Sequence, residues 1–334
     1  MISCQIFLLL LNIVHHYCLK SLQNGHIEQS STNELFKYMN QNPKFQWKSI
    51  TDQHLFRRNI QSRSQLVNSI PVVSHKNLDI KIPPSFDARE YWKNCSSIRR
   101  VNDESHCGAN WVIAAVDSIS DRICIQSNGR INVQLSARDA ISCGYGIGCF
   151  AGSELDVLTY WVTNGIVTGG SYEEKTGCQP FPFPKCSHYV TSKYPKCGKE
   201  TYGFPQCENI CQYGYRNSYE NDKFYGEKFY TVEDDAEDIQ KEILMNGPVI
   251  ASISANVDLL NYTSGVYFPS PNSSNFGWIT IRIIGWGYED NLPYWLCVNS
   301  WNEQWGDKGL FKVLRGKQAG FIESYVRAAI PKII

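Results

Sequence analysis

Cys107-Gly108-Ala109-Asn110-Trp111 is the stretch on which the reading of this chain turns. It opens the clearest helical period in the sequence. Val112, Val116, Ile119 and Ile123 recur at spacings of four, three and four, which lines one face of a helix over 110–125. Asp117, Ser118, Asp121 and Arg122 point away from that face. Asn is a preferred helix-capping residue, because its side chain accepts a free N–H of the first turn; Asn110 is expected to cap this helix.

The chain changes character further on. Ile279-Thr280-Ile281-Arg282-Ile283-Ile284 alternates as a strand does. Residues 298–301 and 310–314 add strand-like runs punctuated by glycine. An early helical half and a late β half make an α+β fold. No internal repeat or low-complexity tract is evident.

The motifs carry a family resemblance. The run 107–111 is similar to the nucleophile motif of papain-type cysteine peptidases, Cys-Gly-[Ser/Ala]-Cys-Trp, with asparagine in place of the reactive cysteine. Pro84-Ser85-Phe86-Asp87-Ala88-Arg89-Glu90 resembles the start of a mature cathepsin B. Ser118-Ile119-Ser120-Asp121-Arg122-Ile123-Cys124 resembles the end of its central helix. Pro293-Tyr294-Trp295-Leu296, Asn299-Ser300-Trp301 and Trp305-Gly306-Asp307 resemble the blocks around its catalytic asparagine. The resemblance covers nearly all of residues 82–334. It implies a papain-like two-lobed fold with a helical left lobe, a β-barrel-like right lobe and a cleft between them. A cysteine-rich insert at about 178–211 stands where cathepsin B carries its occluding loop.

Carried over position by position, the resemblance implies altered catalytic groups. Family chemistry needs a thiolate at a helix N-terminus, where the dipole lowers its pKa, an imidazole, an asparagine that orients it, and a glutamine in the oxyanion hole. Asn110 stands at the nucleophile position, and a carboxamide cannot become a thiolate. Ile279 stands at the histidine position and has no proton to give. Glu104 stands at the oxyanion glutamine, where a carboxylate repels a developing oxyanion; an acid before a helix also suits the helix dipole. Asn299 is retained, expected to serve packing and hydrogen bonding. The region 82–334 holds two histidines, His106 and His188, and neither is placed to replace the lost base; His106 reads as an exposed loop residue.

The implied substrate cleft is also changed. Its backbone-binding run reads Phe150-Ala151-Gly152, with Gly152 kept and Phe150 adding bulk. Tyr325 replaces the acid at the base of the S2 pocket. Trp301 is retained beside the site. Trp278 replaces a glycine next to the histidine position, so the cleft is either open or plugged by Trp278 and Phe150. The occluding loop's paired histidines read His188-Tyr189, which leaves His188 either as a ligand for a peptide carboxylate or as a plain loop residue.

The remaining expectations concern processing and compartment. Residues 1–18 read as a signal peptide, 19–81 as a pro-segment with a helix at 33–40 and an aromatic anchor at Trp47, and 82–334 as the peptidase-like domain. The apolar stretch near the N-terminus is too short to span a bilayer. Residues 20–81 carry nine Lys/Arg against four Asp/Glu, and residues 82–334 carry 23 against 28; a basic pro-segment suits docking on an acidic domain. No basic patch with interleaved aromatics points to nucleic acid. Of thirteen cysteines, Cys4 and Cys18 fall in the expected signal peptide; the resemblance pairs Cys95 with Cys124, Cys107 with Cys149, Cys143 with Cys207, Cys178 with Cys211 and Cys186 with Cys197, leaving Cys297 as a buried thiol. Asn94, Asn261 and Asn272 begin glycosylation sequons. The chain is expected to be extracellular or endolysosomal and monomeric, with no metal, cofactor or membrane span. Its expected partners are its own pro-segment and a peptide or protein ligand. The resulting expectation is a proteolytically inactive cathepsin B-like protein that binds peptides or proteins; the alternative is a weakly active peptidase with an unrecognised nucleophile.

Overall fold

The computed structural model describes residues 70–150, 152–198, 201–203 and 205–333, all within one compact unit, Arg63–Ile334. The expected signal peptide, the helix at 33–40, Trp47 and Ala151 lie outside the described residues.

Three helices build the left lobe: α2 (Asn110–Gln126), α3 (Ala137–Cys143) and α4 (Glu154–Asn164), after a short α1 (Ala88–Tyr91). The starts of α3 and α4 are fixed locally. Ser136 Oγ accepts from the Asp139 N–H at 3.0 Å, and Ser153 with Asp156 forms a reciprocal capping box. Val112, Val116, Ile119 and Ile123 pack against Ile141, Leu158 and Trp161 in one core. The helical period was therefore read correctly.

The polar face of α2 does not meet water. Asp117, Ser118, Asp121 and Arg122 are all buried, because the second lobe packs across them. Asp121 pairs with Arg282 at 2.5 Å, and Arg122 with Glu242 at 2.9 Å. Ser118 Oγ donates to the Pro248 carbonyl at 2.9 Å.

That second lobe holds helix α5 (Ala236–Asn246) and a nine-stranded sheet. The sheet runs β1 (Val72–Val73), β3 (Gly226–Val232), β9 (Val326–Pro331), β4 (Val249–Asn256), β6 (Asn275–Glu289), β7 (Leu292–Val298), β8 (Leu310–Leu314) and β5 (Val266–Tyr267), with β2 (Phe86–Asp87) pairing β6. Residues 279–284 of β6 are buried on both faces, not half-exposed as simple alternation suggests. One face joins the right-lobe core with Ile253 and Trp286; the other meets the polar side of α2. Strand β7 stops at Val298, so Asn299 lies just past its end, and Trp301 is tied to Asp103 by an isolated bridge.

All five implied disulfides are present. Cys297 is free and buried, and burial raises its thiol well above the ordinary range. Three of the bridges pin the insert at 178–211, which is otherwise mostly irregular. No helix among the described residues is long and apolar enough to cross a membrane.

Candidate functional site

Asn110 is the first residue of α2, and Ala109 occupies the cap position. The expected capping role is thus corrected: the chain enters the helix one residue earlier, and the Asn110 carboxamide is free to reach across the cleft. Its Oδ1 accepts from the backbone N–H of Thr280 on β6 at 3.0 Å. Its Nδ2 donates to Glu104 Oε2 at 3.3 Å. The Thr280 N–H fixes which end of the amide is which, so Asn110 can only donate to Glu104.

Glu104 is buried. Its Oε1 accepts from Trp301 Nε1 at 2.6 Å, and its own N–H donates to the Ser300 carbonyl at 2.9 Å. Both side-chain donors are neutral. Burial pushes its carboxyl up to about 7, against the pull of His188 and the Trp301 hydrogen bond. The raised value follows from burial with only neutral donors on its two oxygens, Asn110 and Trp301.

Ile279 lies in the right-lobe core. Asn299 is also buried; its Oδ1 accepts from the Ser300 N–H at 2.8 Å, while its Nδ2 has no partner. An orphaned buried amide donor is costly.

His188 is buried rather than a plain loop residue. Its Nε2 lies 2.7 Å from Asp103 Oδ1, so the carboxylate it holds belongs to this chain. Asp103 also accepts from Ser105 N, Asn302 Nδ2 and Cys186 N. The reading of His188 as a plain loop residue is therefore corrected by a partner 85 residues away, which engages Nε2. His106 is half-buried, not exposed, and meets Tyr202 edge-on with centroids 6.3 Å apart. Glu104, His106, His188, Tyr189 and Lys196 line a cavity of about 720 Å³ beneath the insert. Cys186 and Cys197 lie beside His188, but their sulfurs are bonded to each other and offer no thiolate to a metal.

The rim carries exposed rings. Trp278 is 54% and Phe150 65% exposed. Trp278 meets Tyr325 edge-on at 5.3 Å, and Tyr189 meets Trp301 at 4.9 Å. Gly152 is exposed, and a Cβ there would come within 2.3 Å of the Trp111 ring; only glycine fits. The side chains of Asn94, Asn261 and Asn272 are exposed. Sequence reasoning missed Asp103 and Thr280; no local signal marks either, since both act through partners distant in the chain.

The comparisons with known proteins agree with this architecture. The family described as papain family cysteine protease matches residues 82–330. A cathepsin B-like cysteine proteinase of Schistosoma japonicum is 44% identical over 320 residues, covering 92% of this chain and 93% of the relative. Cathepsin B-like cysteine proteinase 6 of Caenorhabditis elegans is 44% identical over 262 residues, covering 77% of this chain and 69% of the relative. The solved structure of proCathepsin B S9 from Trypanosoma congolense superposes with a TM-score of 0.69 at 29% identity, covering 92% of this chain and 99% of that one. With its two lobes, its five disulfides and these relatives, the chain belongs to the papain family of cysteine proteases, in the cathepsin B-like group.

Proposed function

We propose that this chain is a proteolytically inactive cathepsin B-like protein that works by binding peptides or proteins in and around its cleft. The observation that carries the reading is the double engagement of Asn110. At the helix N-terminus, where family chemistry needs a thiolate, a carboxamide is bonded on one side to Glu104 and on the other to Thr280 N–H. Loss of a nucleophile or base alone costs on the order of 10⁶ in kcat, and here both positions are changed. Cys297 is no substitute, being buried with a raised pKa. The exposed Tyr189, Trp278 and Tyr325 rings supply amphipathic contact area of the kind that peptide-binding surfaces use.

An inactive domain does not cut its own pro-segment, so residues 19–81 stay attached unless another protease acts. Five disulfides suit an oxidising compartment, and an extracellular or endolysosomal monomer, glycosylated at Asn94, Asn261 or Asn272, is the form we expect. The test incubates the purified chain with a diverse peptide library at pH 5 and pH 7, reading retained and cut peptides by mass spectrometry. Retained, uncut peptides are expected. Turnover abolished by Asn110→Ala or Glu104→Gln would sink the proposal.

A further inference from the structure

The segment just upstream of the expected domain start is built into the fold, on the face of the sheet edge beside α5. Val72 and Val73 form β1, parallel to β3 in register with Thr231 and Val232. Two ladder bonds flank the pair: Thr231 N–H donates to the Pro71 carbonyl at 3.0 Å, and Glu233 N–H to the Val73 carbonyl at 2.9 Å. The next two residues plug into the side of α5. Ser74 Oγ donates to Asp238 Oδ2 at 2.7 Å, and His75 N–H to Asp238 Oδ1 at 2.9 Å. Lys241 Nζ donates to the His75 carbonyl at 3.2 Å.

The His75 ring is the key. It is buried, and its Nε2 lies 2.7 Å from Glu242 Oε2. The other oxygen of Glu242 accepts from Arg122 of α2, Tyr230 of β3 and Asn246 of α5. Arg122 in turn donates to carbonyls of Gly247, Pro248 and Ala329. His75 thus completes a buried polar cluster that joins both lobes. Partly satisfied clusters of this kind are costly, because each buried group left without its partner loses its full desolvation compensation. Immediately afterwards, residues 76–79 are exposed in a turn, before Pro83 and Phe86 rejoin the core through the Trp286 N–H and ring.

We propose that residues 72–75 are a permanent strand of the domain, so that proteolytic trimming in the exposed connector 76–81 yields a nicked, two-chain protein that keeps this piece bound. The folded domain therefore begins upstream of Pro71 and not at Ile82. The anchor is a β-strand addition with a histidine lock: main-chain bonds hold the strand, and the Asp238 and Glu242 carboxylates select its Ser-His end. Removal of a pro-segment from this chain then separates the upstream residues from their own C-terminal strap, and the strap stays.

The experiment uses the full chain with two sites for one sequence-specific protease, between Ser62 and Arg63 and between Asn77 and Leu78. After complete cleavage, native size exclusion is followed by denaturing mass spectrometry of the domain peak. The piece 63–77 is expected to co-elute with the domain. His75→Ala should speed its loss by roughly tenfold or more, as truncating one partner of a buried hydrogen-bonded pair does, with His75→Gln intermediate. Ser74→Ala, which removes from an exposed residue the bond to Asp238 and the one accepted from the Lys76 N–H, should have a smaller effect and covers the case in which His75→Ala does not fold. A domain that loses its fold as the piece departs supports the same conclusion. The proposal is overturned if piece 63–77 separates while the domain stays folded with an unchanged Tm, or if the His75→Ala and Ser74→Ala pieces are retained as long as the parent.

Discussion

Two buried glutamates in this molecule have opposite fates. Glu104, at the cleft, is surrounded by neutral donors, and burial raises its carboxyl to about 7. Glu242, at the back of the right lobe, is buried as deeply; burial pushes it up too, but Arg122, His75 and Tyr230 outweigh that and hold it down at about 2. Burial sets the cost of a charge, and the partner decides whether the cost is met. Glu242 is matched by Arg122, while no cation is bonded to Glu104 among the described residues.

The largest expected effect comes from breaking the matched end. Glu242→Gln leaves Arg122 buried without a counter-charge and should cost about 3–5 kcal/mol, read from urea unfolding at pH 6. An unchanged midpoint would mean that the cluster is not what joins the lobes. Next is Asn110→Ala, which strips Thr280 N–H of its acceptor and should cost about 1–3 kcal/mol. Asn110→Cys alone should restore no peptide turnover, because Ile279 offers no base.

The pH profile sharpens the comparison further. A carboxyl with a raised native pKa makes stability fall as pH rises through the window between its unfolded and folded values. Glu104 gives that slope between about pH 4.5 and 7, and Asp117, raised by burial to about 6, adds to it between about pH 3.8 and 6. Glu242 acts with the opposite sign: its contribution is present above about pH 4.5 and lost as pH falls toward 2. Thermal unfolding across pH should therefore peak near pH 4–5. The smallest effect expected is that Glu104→Gln flattens the limb between pH 5 and 7 while leaving the acid limb alone. A parent chain most stable at pH 8 would contradict the assignment of Glu104.

Much of the fold was legible because its signals are local or borrowed. The spacing of Val112, Val116, Ile119 and Ile123 announced α2, and the motifs announced the family and its five disulfides. The burial of Asp121 and Arg122 was not legible, since an amphipathic pattern implies a wet polar face unless something packs on it. Here Arg282 and Glu242 do so. The pairing of His188 with Asp103, 85 residues away, was not legible either, since no local pattern announces it.

What the sequence determined by itself is which functional groups exist: no sulfur at residue 110, no imidazole at 279, a carboxyl at 104. Side-chain chemistry needs no neighbours to be known. What only the tertiary structure decided is what those groups do. Asn110 meets Thr280 across 170 residues, His75 meets Glu242 across 167, and His188 meets Asp103 across 85. Hydrogen bonds and pKa values depend on distances of a few ångströms and on exclusion of water, and only the folding of the chain sets either one.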